Sequence, residues 1–326
     1  MKKGSVYLLS ILADGEFYSG EELARRMDVS RAAIWKSIKQ LKSFGLIINA
    51  KRGKGYRLNN PVELLSENKI RKALSARCNK YFHSIDILFN TTSTNSYLFK
   101  RIDSDLIRGQ VVLAEYQSQG KGRRGNKWLS PLASGIYLSI AWQLDKSPTV
   151  LGLLSLYIGV AIIRALKTLN INTVGLKWPN DILIDNKKLG GVLLEMRGES
   201  GGPVDVVIGV GLNYDLPEEM ISSIDQPVTD ICHHSQQRLS RNKIAASLIS
   251  NIFEVLDSMQ TETDLVLLNE WRQYDCCKNE YVRLILPGSK IQGRLEGVDD
   301  QGSLLICVNG KTQHFSSGEI SLRVEK

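Results

Sequence analysis

The chain reads as an α+β protein of several domains: an N-terminal winged helix-turn-helix, a central mixed α/β domain with a largely antiparallel sheet, and a small C-terminal β-barrel. Three observations carry that reading. The first sixty residues hold two tightly spaced helical patterns followed by a basic strand–turn–strand. The middle of the chain holds a series of strand-like apolar runs around one long apolar helical stretch. From Tyr281 onward the apolar runs become short and are separated by turn signals.

In chain order, Val6 to Ala13 reads as a short helix facing a core. Ser19-Gly-Glu-Glu22 has capping-box spacing ahead of Leu23 to Met27, and Ser30 precedes a pattern with Ile34, Ile38 and Leu41 on one face. Asp28-Val29 makes the turn between the two helices. The second helix carries Arg31, Lys36, Lys39 and Lys42, as expected of a helix that enters a major groove. A small helical bundle with a solvated basic face has the same pattern. Leu46 to Leu58, with Arg52 and Lys54 in its Gly turn, supplies the two strands of a wing and tips the reading towards DNA binding.

Asn59-Asn60-Pro61 marks the first boundary, so residues 1–61 form the DNA-binding unit, 62–275 the central domain and 276–326 the C-terminal barrel. A helical pattern starts near Ser66. Strands are expected at Ile85–Phe89, Val111–Tyr116 and Ile136–Trp142, then a helix at Leu151–Leu169. A meander follows at Val174–Trp178, Ile182–Ile184, Leu189–Met196 and Val204–Leu212, joined by Asp185-Asn186-Lys187 and a turn at Gly198–Pro203. Lys243–Met259 and Asp264–Tyr274 read as closing helices. Turns at Pro287-Gly288, Asp299–Gly302 and Asn309-Gly310 and a last strand at Ile320–Val324 complete the barrel.

Net charge is +8, and the first sixty residues carry 12 Lys and Arg against 5 Asp and Glu, a difference of +7 that leaves only +1 for the other 266. The basicity therefore belongs to the N-terminal unit and points to a polyanion, with nucleic acid first. Asp14 and Glu16 interrupt the N-terminal apolar run, which argues against a signal peptide. The apolar stretch Leu151–Ala165 is shorter than the roughly 18 to 20 residues of a membrane span. Five cysteines without a CxxC pair fit a reducing cytoplasm, and no membrane role is expected.

Four segments have the composition of a site. Gly120-Lys-Gly-Arg-Arg-Gly-Asn-Lys-Trp128 combines flexible backbone with four cations and suits an anion, although a solvated basic turn looks similar. Its Gly120-x-Gly122-x-x-Gly125 also matches the dinucleotide fingerprint, with Asp145 near the ribose-acid position. Ser130-Pro131 and the strand after it leave no room for the helix that fingerprint requires. Thr92-Ser-Thr-Asn95 could bond a neutral polar ligand or cap a helix. Lys177-Trp-Pro-Asn-Asp181 puts a cation, an amide and a carboxylate at a strand end, where Asp181 could hold Mg²⁺. Lys187-Lys-Leu-Gly-Gly191 is either a ligand contact or a basic hairpin tip. There is no Gly-x-Ser-x-Gly elbow and no metal-ligand spacing among the four histidines, and His233-His234 reads as a surface loop. Cations, hydroxyls and one carboxylate suit phosphate chemistry by charge neutralisation, without a protein nucleophile.

Ser93-Thr-Asn95, Gln117 with Gly120–Gly125 and Trp128, Lys177–Asp181, Lys188-Leu-Gly-Gly191 and Gly209-Val-Gly-Leu-Asn213 resemble, in identity and order, the family of bifunctional biotin protein ligases that are also biotin operon repressors. The resemblance covers essentially the whole chain. It implies a class II synthetase-like ligase domain, an SH3-like barrel, and an enzyme that joins biotin to ATP as biotinyl-5'-adenylate. Biotin would then pass to a lysine of the biotin carboxyl carrier protein of acetyl-CoA carboxylase. By the family's pattern, Lys188 and Arg123 are the catalytic cations. Ser93, Thr94, Asn95, Gln117, Lys121, Gly122, Arg123 and Lys188 hold biotin, while Arg123, Arg124, Trp128, Lys177, Asn180, Asp181 and Asn213 serve ATP and Mg²⁺. The resemblance also implies an adenylate-dependent homodimer on operator DNA, contacted through Gly20, Ser30, Arg31, Lys36, Lys39, Arg52 and Lys54.

Position 121 is Lys and position 126 is Asn where the family pattern has Arg, which questions a guanidinium contact at each. A lipoate ligase is a neighbouring reading within the enzyme class. A transcription factor that senses a ligand without turnover is the reading from another class, and pyrophosphate release separates the two.

Overall fold

The computed structural model describes residues 3–101, 108–144, 148–198, 203–261, 265–286, 289–316 and 321–324. The N-terminal unit holds α1 (Lys3–Leu12), α2 (Gly20–Met27) and α3 (Arg31–Ser43), then the antiparallel hairpin β1 (Ile48–Lys51) and β2 (Gly55–Leu58). Both helix starts are set by the serines expected there: the Ser19 hydroxyl accepts from Glu22 N at 3.0 Å and the Ser30 hydroxyl from Ala33 N at 3.2 Å. Asp28 ends α2 in the left-handed region (φ 51), which turns the chain into α3 within two residues. Leu8, Leu12, Leu23, Ile34, Ile38 and Leu41 form the unit's core, and Leu132 from the central domain is buried in the same cluster.

The central domain contains α4 (Glu67–Ala73), β3 (Ser84–Thr91), α5 (Thr94–Phe99), β4 (Gln110–Gln117), β5 (Gly135–Leu144) and the 20-residue α6 (Pro148–Lys167). The meander β6 (Val174–Lys177), β7 (Asp181–Ile184), β8 (Lys187–Gly198) and β9 (Val204–Asn213) follows, then α7 (Glu218–Ile221), α8 (Arg241–Thr261) and α9 (Leu265–Tyr274). The seven strands lie in the order β3-β4-β5-β9-β8-β7-β6, and only β3 and β4 run parallel. The sheet is therefore largely antiparallel, as the short connections of the meander predict. α6 and α8 cover one face through residues such as Tyr157, Ile158, Ile252 and Phe253. On the other face α5 packs Leu98 against Val112, Ala141 and Val207. Nine of the ten residues of β5 are buried, which explains why that strand reads as a continuous apolar run rather than an alternating one.

β10 (Tyr281–Leu286), β11 (Ser289–Val298), β12 (Leu304–Val308), β13 (Lys311–Phe315) and β14 (Ser321–Val324) form a C-terminal antiparallel sheet in the order β13-β12-β11-β10-β14. Among the described residues it is open, with β13 and β14 as edges, and closure of the expected small barrel is not seen there. Its apolar residues continue the central core, and the Trp178 indole N–H donates to Gly302 O at 3.0 Å across the boundary.

The segment after Pro61 is held by a buried ion pair. Arg241 Nη1 lies 2.6 Å from Glu115 Oε2, with the two side chains 0% and 3% exposed. Glu115 Oε1 accepts from Leu65 N at 2.5 Å, and Arg241 donates to Glu63 O and Gly135 O, both at 2.8 Å. Glu115 on β4 and Arg241 at the start of α8 thus grip the chain entering the central domain at Leu65 and Glu63, and Arg241 also ties α8 to β5 through Gly135. The turns expected at Gly198–Pro203 and Pro287-Gly288, and Asp145, fall partly or wholly outside the described residues, as do Asp264 and Ile320. No helix among the described residues is long and apolar enough to cross a membrane.

Candidate functional site

A cavity of about 600 Å³ opens beside the sheet, and all fourteen central-domain site residues named from the sequence line it. The strand ends of β4, β7, β8 and β9, the first turn of α5 and the Gly120–Trp128 loop converge there.

One end of the cavity is polar and uncharged. Ser93 caps α5, its hydroxyl accepting from Ser96 N, so helix cap and site residue coincide. Gln117 is held at both ends: Oε1 accepts from Thr94 N at 2.8 Å, and Nε2 donates to Ser130 Oγ at 2.8 Å. Ser139, fully buried on β5, lies 2.7 Å from Thr94 Oγ1 and 2.6 Å from Asn95 Oδ1. Because Asn95 Nδ2 donates to Leu193 O, its Oδ1 can only accept, and the Ser139 proton goes to it. The site thus depends on Ser139 and Ser130, which sequence reasoning missed. Their place in a strand and beside Trp128 offered no signal beyond a lone hydroxyl.

The other end is charged. Lys188 Nζ lies 2.6 Å from Asp181 Oδ1, with the side chains 16% and 15% exposed, and stands over the Trp128 ring at 5.7 Å. Arg123 Nη1 reaches Asn180 Oδ1 at 3.4 Å, and Asn180 Nδ2 is anchored on Val192 O. Burial pushes the Arg123 guanidinium below its ordinary pKa, and the nearby Asp181 carboxylate opposes that shift. Asn213 donates to Lys188 O and Thr229 O, so it fixes the β8 backbone beside the lysine. Trp128 Nε1 is buried without an acceptor in the protein.

The cationic loop is a small hairpin closed by a Lys121–Lys127 bridge, with Gly122 N donating to Asn126 O at 2.7 Å. Lys121 Nζ pairs with Glu195 at 2.9 Å, and Arg124 sits in the left-handed region (φ 58). Asn126 holds the loop through its carbonyl, which any residue offers, and it also lines the cavity. Three glycines make room for this architecture. A Cβ on Gly120 would meet Trp128 O at 2.3 Å, one on Gly209 would meet Asn95 Oδ1 at 2.2 Å, and one on Gly211 would meet the Trp128 ring at 2.7 Å.

Of the N-terminal residues named from the sequence, Ser30 is occupied as the cap of α3, and Gly20 opens α2 beside the Arg31 side chain. Arg31, Lys36, Lys39, Arg52 and Lys54 are all exposed. The His233-His234 pair forms a short 3₁₀ turn. His233 Nδ1 lies 2.8 Å from the buried Asp230, whose hydrogen bond raises the imidazole pKa, and His234 Nε2 meets Thr229 Oγ1 at 2.8 Å.

Comparison with known proteins matches three stretches in order. Residues 7–57 match an HTH domain, 88–213 the biotin/lipoate A/B protein ligase family, and 279–323 the biotin protein ligase C-terminal domain. Over 316 residues the chain is 37% identical to the bifunctional ligase/repressor BirA of Salmonella typhimurium, which covers 97% of this chain and 96% of that protein. The chain belongs to the bifunctional ligase/repressor family. The Escherichia coli strain K12 member shows the same identity and coverage. Among solved structures, the Aquifex aeolicus biotin protein ligase in complex with biotin and ATP aligns at a TM-score of 0.64 and 26% identity, covering 75% of this chain and all of that one. The chain spans both halves of the family's plan, an HTH domain and a ligase fold with its C-terminal β domain.

Proposed function

We propose that this ligase/repressor family member condenses biotin with ATP to biotinyl-5'-adenylate and pyrophosphate, then transfers the biotinyl group to a lysine of the biotin carboxyl carrier protein of acetyl-CoA carboxylase. With the adenylate bound, it pairs as a homodimer on operator DNA and represses biotin synthesis. The observation that carries the enzymatic reading is one cavity with an uncharged hydrogen-bonding end and a cationic end.

Ser93, Thr94, Asn95 and Gln117, held by Ser139 and Ser130, present donors and acceptors to biotin's ureido ring. Lys121 and Gly122 shape the loop over it. At the charged end a carboxylate must meet an α-phosphate. Lys188 and Arg123 reduce the repulsion between those anions and stabilise the charge that develops on the phosphate. Arg124, Lys177, Asn180 and Asn213 line the remaining wall for the nucleotide, with the Trp128 indole N–H as a further donor. Mg²⁺ would enter as part of the Mg-ATP substrate, with Asp181 as the carboxylate that would hold it; among the described residues there is no cluster of three metal-ligating side chains for a resident ion. Transfer to lysine needs no base beyond solvent, since the mixed anhydride is already activated.

We read β1–β2 as the wing of a winged helix, the C-terminal sheet as SH3-like, and residues 1–61, 62–275 and 276–326 as the three domains. Gly20, Ser30, Arg31, Lys36, Lys39, Arg52 and Lys54 form the DNA face, and the cytoplasm is the working compartment. The test is incubation with Mg-ATP, labelled biotin and an acceptor domain, with excess lipoate as competitor. Pyrophosphate release and label on the acceptor, unmoved by lipoate, are expected; release driven by lipoate instead refutes the substrate assignment.

A further inference from the structure

Trp35 is the most exposed of the large hydrophobic side chains among the described residues, at 55%. It lies on α3, whose Ile34, Ile38 and Leu41 turn into the N-terminal core. The indole therefore falls on the opposite stripe, one turn after Arg31 and one turn before Lys39, with exposed Ala32 and Lys36 beside it. Lys39 Nζ stands 5.5 Å from the ring centroid.

Single exposed apolar residues are ordinary on protein surfaces. Here the residue interrupts a stripe in which every other long side chain is a cation, in the first half of the second helix of a helix-turn-helix. That half approaches the base edges when such a helix enters the major groove. A lysine or arginine at position 35 would serve phosphate contact and solubility better than an indole does. The stripe's own positive charge also disfavours burial of this face against a second copy of the same face. In the major groove the four base pairs expose one apolar group, the C5 methyl of thymine.

We propose that Trp35 is a specificity-determining residue that reads thymine methyl groups in the major groove, with Arg31 and Lys39 fixing the helix on either side. The inference rests on the DNA-binding reading of the N-terminal domain and adds to it the chemical identity of one contact. Arg31, Lys36 and Lys39 supply affinity that depends on salt, whereas Trp35 supplies discrimination that does not.

The full-length protein with biotin and Mg-ATP is used to select duplexes from a random library, and each selected thymine is then replaced by deoxyuridine, which lacks only the methyl. Wild type loses about fourfold in Kd for each methyl that is read, the value of one buried methyl group. Trp35→Phe keeps that penalty. Trp35→Ala binds thymine and deoxyuridine duplexes equally while keeping the wild-type salt slope on unselected DNA, which shows that its fold is intact. Deoxyuridine replacement without effect on a protein that binds duplex refutes the Trp35 proposal alone, as does a Trp35→Ala protein with an unchanged deoxyuridine penalty. Failure to select any sequence, with no salt-dependent duplex binding by wild type, refutes the DNA-binding reading and the proposal with it.

Discussion

Replacing Lys188 by alanine separates the two half-reactions. In the free protein Lys188 Nζ is 2.6 Å from Asp181 Oδ1. At an effective dielectric of about 20 that separation corresponds to an attraction of about 6 kcal/mol, which desolvation of the two ions offsets by several kcal/mol each, so the pair itself adds little net stability. Removing the lysine leaves Asp181 largely shielded from water, with Arg123 as its remaining nearby cation. We expect a loss of about 2 kcal/mol, less than the 3–5 kcal/mol seen for fully buried pairs, because both side chains keep some exposure. The kinetic effect is larger. A cation poised where negative charge develops is worth about 3–4 kcal/mol, so pyrophosphate release should fall about 10²- to 10³-fold. Transfer from chemically prepared biotinyl-adenylate, whose formation no longer needs that cation, should fall about tenfold or less. The double variant Lys188→Ala/Asp181→Asn should recover the stability and leave adenylation slow. Adenylate formation by Lys188→Ala within about threefold of wild type, with normal melting, would refute this role for the lysine.

Ser139→Ala leaves Asn95 Oδ1 buried without its donor, at a cost of about 1–3 kcal/mol, and should raise the KM for biotin about five- to fiftyfold with a smaller change in kcat, read by initial-rate kinetics. Gly209→Ala places a methyl on the Asn95 amide; isothermal titration should show biotin binding lost while circular dichroism stays that of wild type. Burial pushes the Asp275 carboxyl up to about 6 from its ordinary value of 3.8, so its neutral form favours the folded state. That stabilisation is fully present below the unfolded pKa and is lost as pH rises through about 6. Asp275→Asn, which can still accept from Cys277 N, should therefore raise the melting temperature by several degrees at pH about 7.5, a gain of about 3 kcal/mol, and leave it unchanged near pH about 3. An equal gain at both values would assign the effect to something other than ionisation.

The elements of the central sheet were legible because each strand carries an apolar run of the right length between turn residues, and the capping serines marked the starts of α2 and α3. Strand ends differed by at most two residues, mostly where a polar residue such as Gln110, Asp181 or Lys187 still pairs in the ladder. The site was legible as four separate segments whose unusual composition survives in one dimension, with Gly209–Asn213 added only by the family resemblance. The residues that hold them in place were not. Ser139 sits in a strand pattern where one hydroxyl carries no message, and it matters only because α5 lies across β5 and brings Asn95 to it. Glu115 and Arg241 stand 126 positions apart, and neither local sequence announces a buried pair that anchors the segment leaving the N-terminal unit. Leu132 is the clearest case. By sequence it belongs to the turn before β5, yet it is 1% exposed in the core of the helix-turn-helix unit, with Leu132 N donating to Phe44 O and the Phe44 and Tyr116 rings 4.7 Å apart beside it. The two residues before it, Ser130 and Pro131, are respectively bonded to Gln117 and part of the cavity wall. A five-residue stretch from Trp128 to Leu132 thus runs from the ligand cavity into the DNA-binding domain, so the packing that closes one unit also fixes a wall of the other. Such a contact depends on how two domains meet, a relation set by long-range packing rather than by the period or composition of any segment.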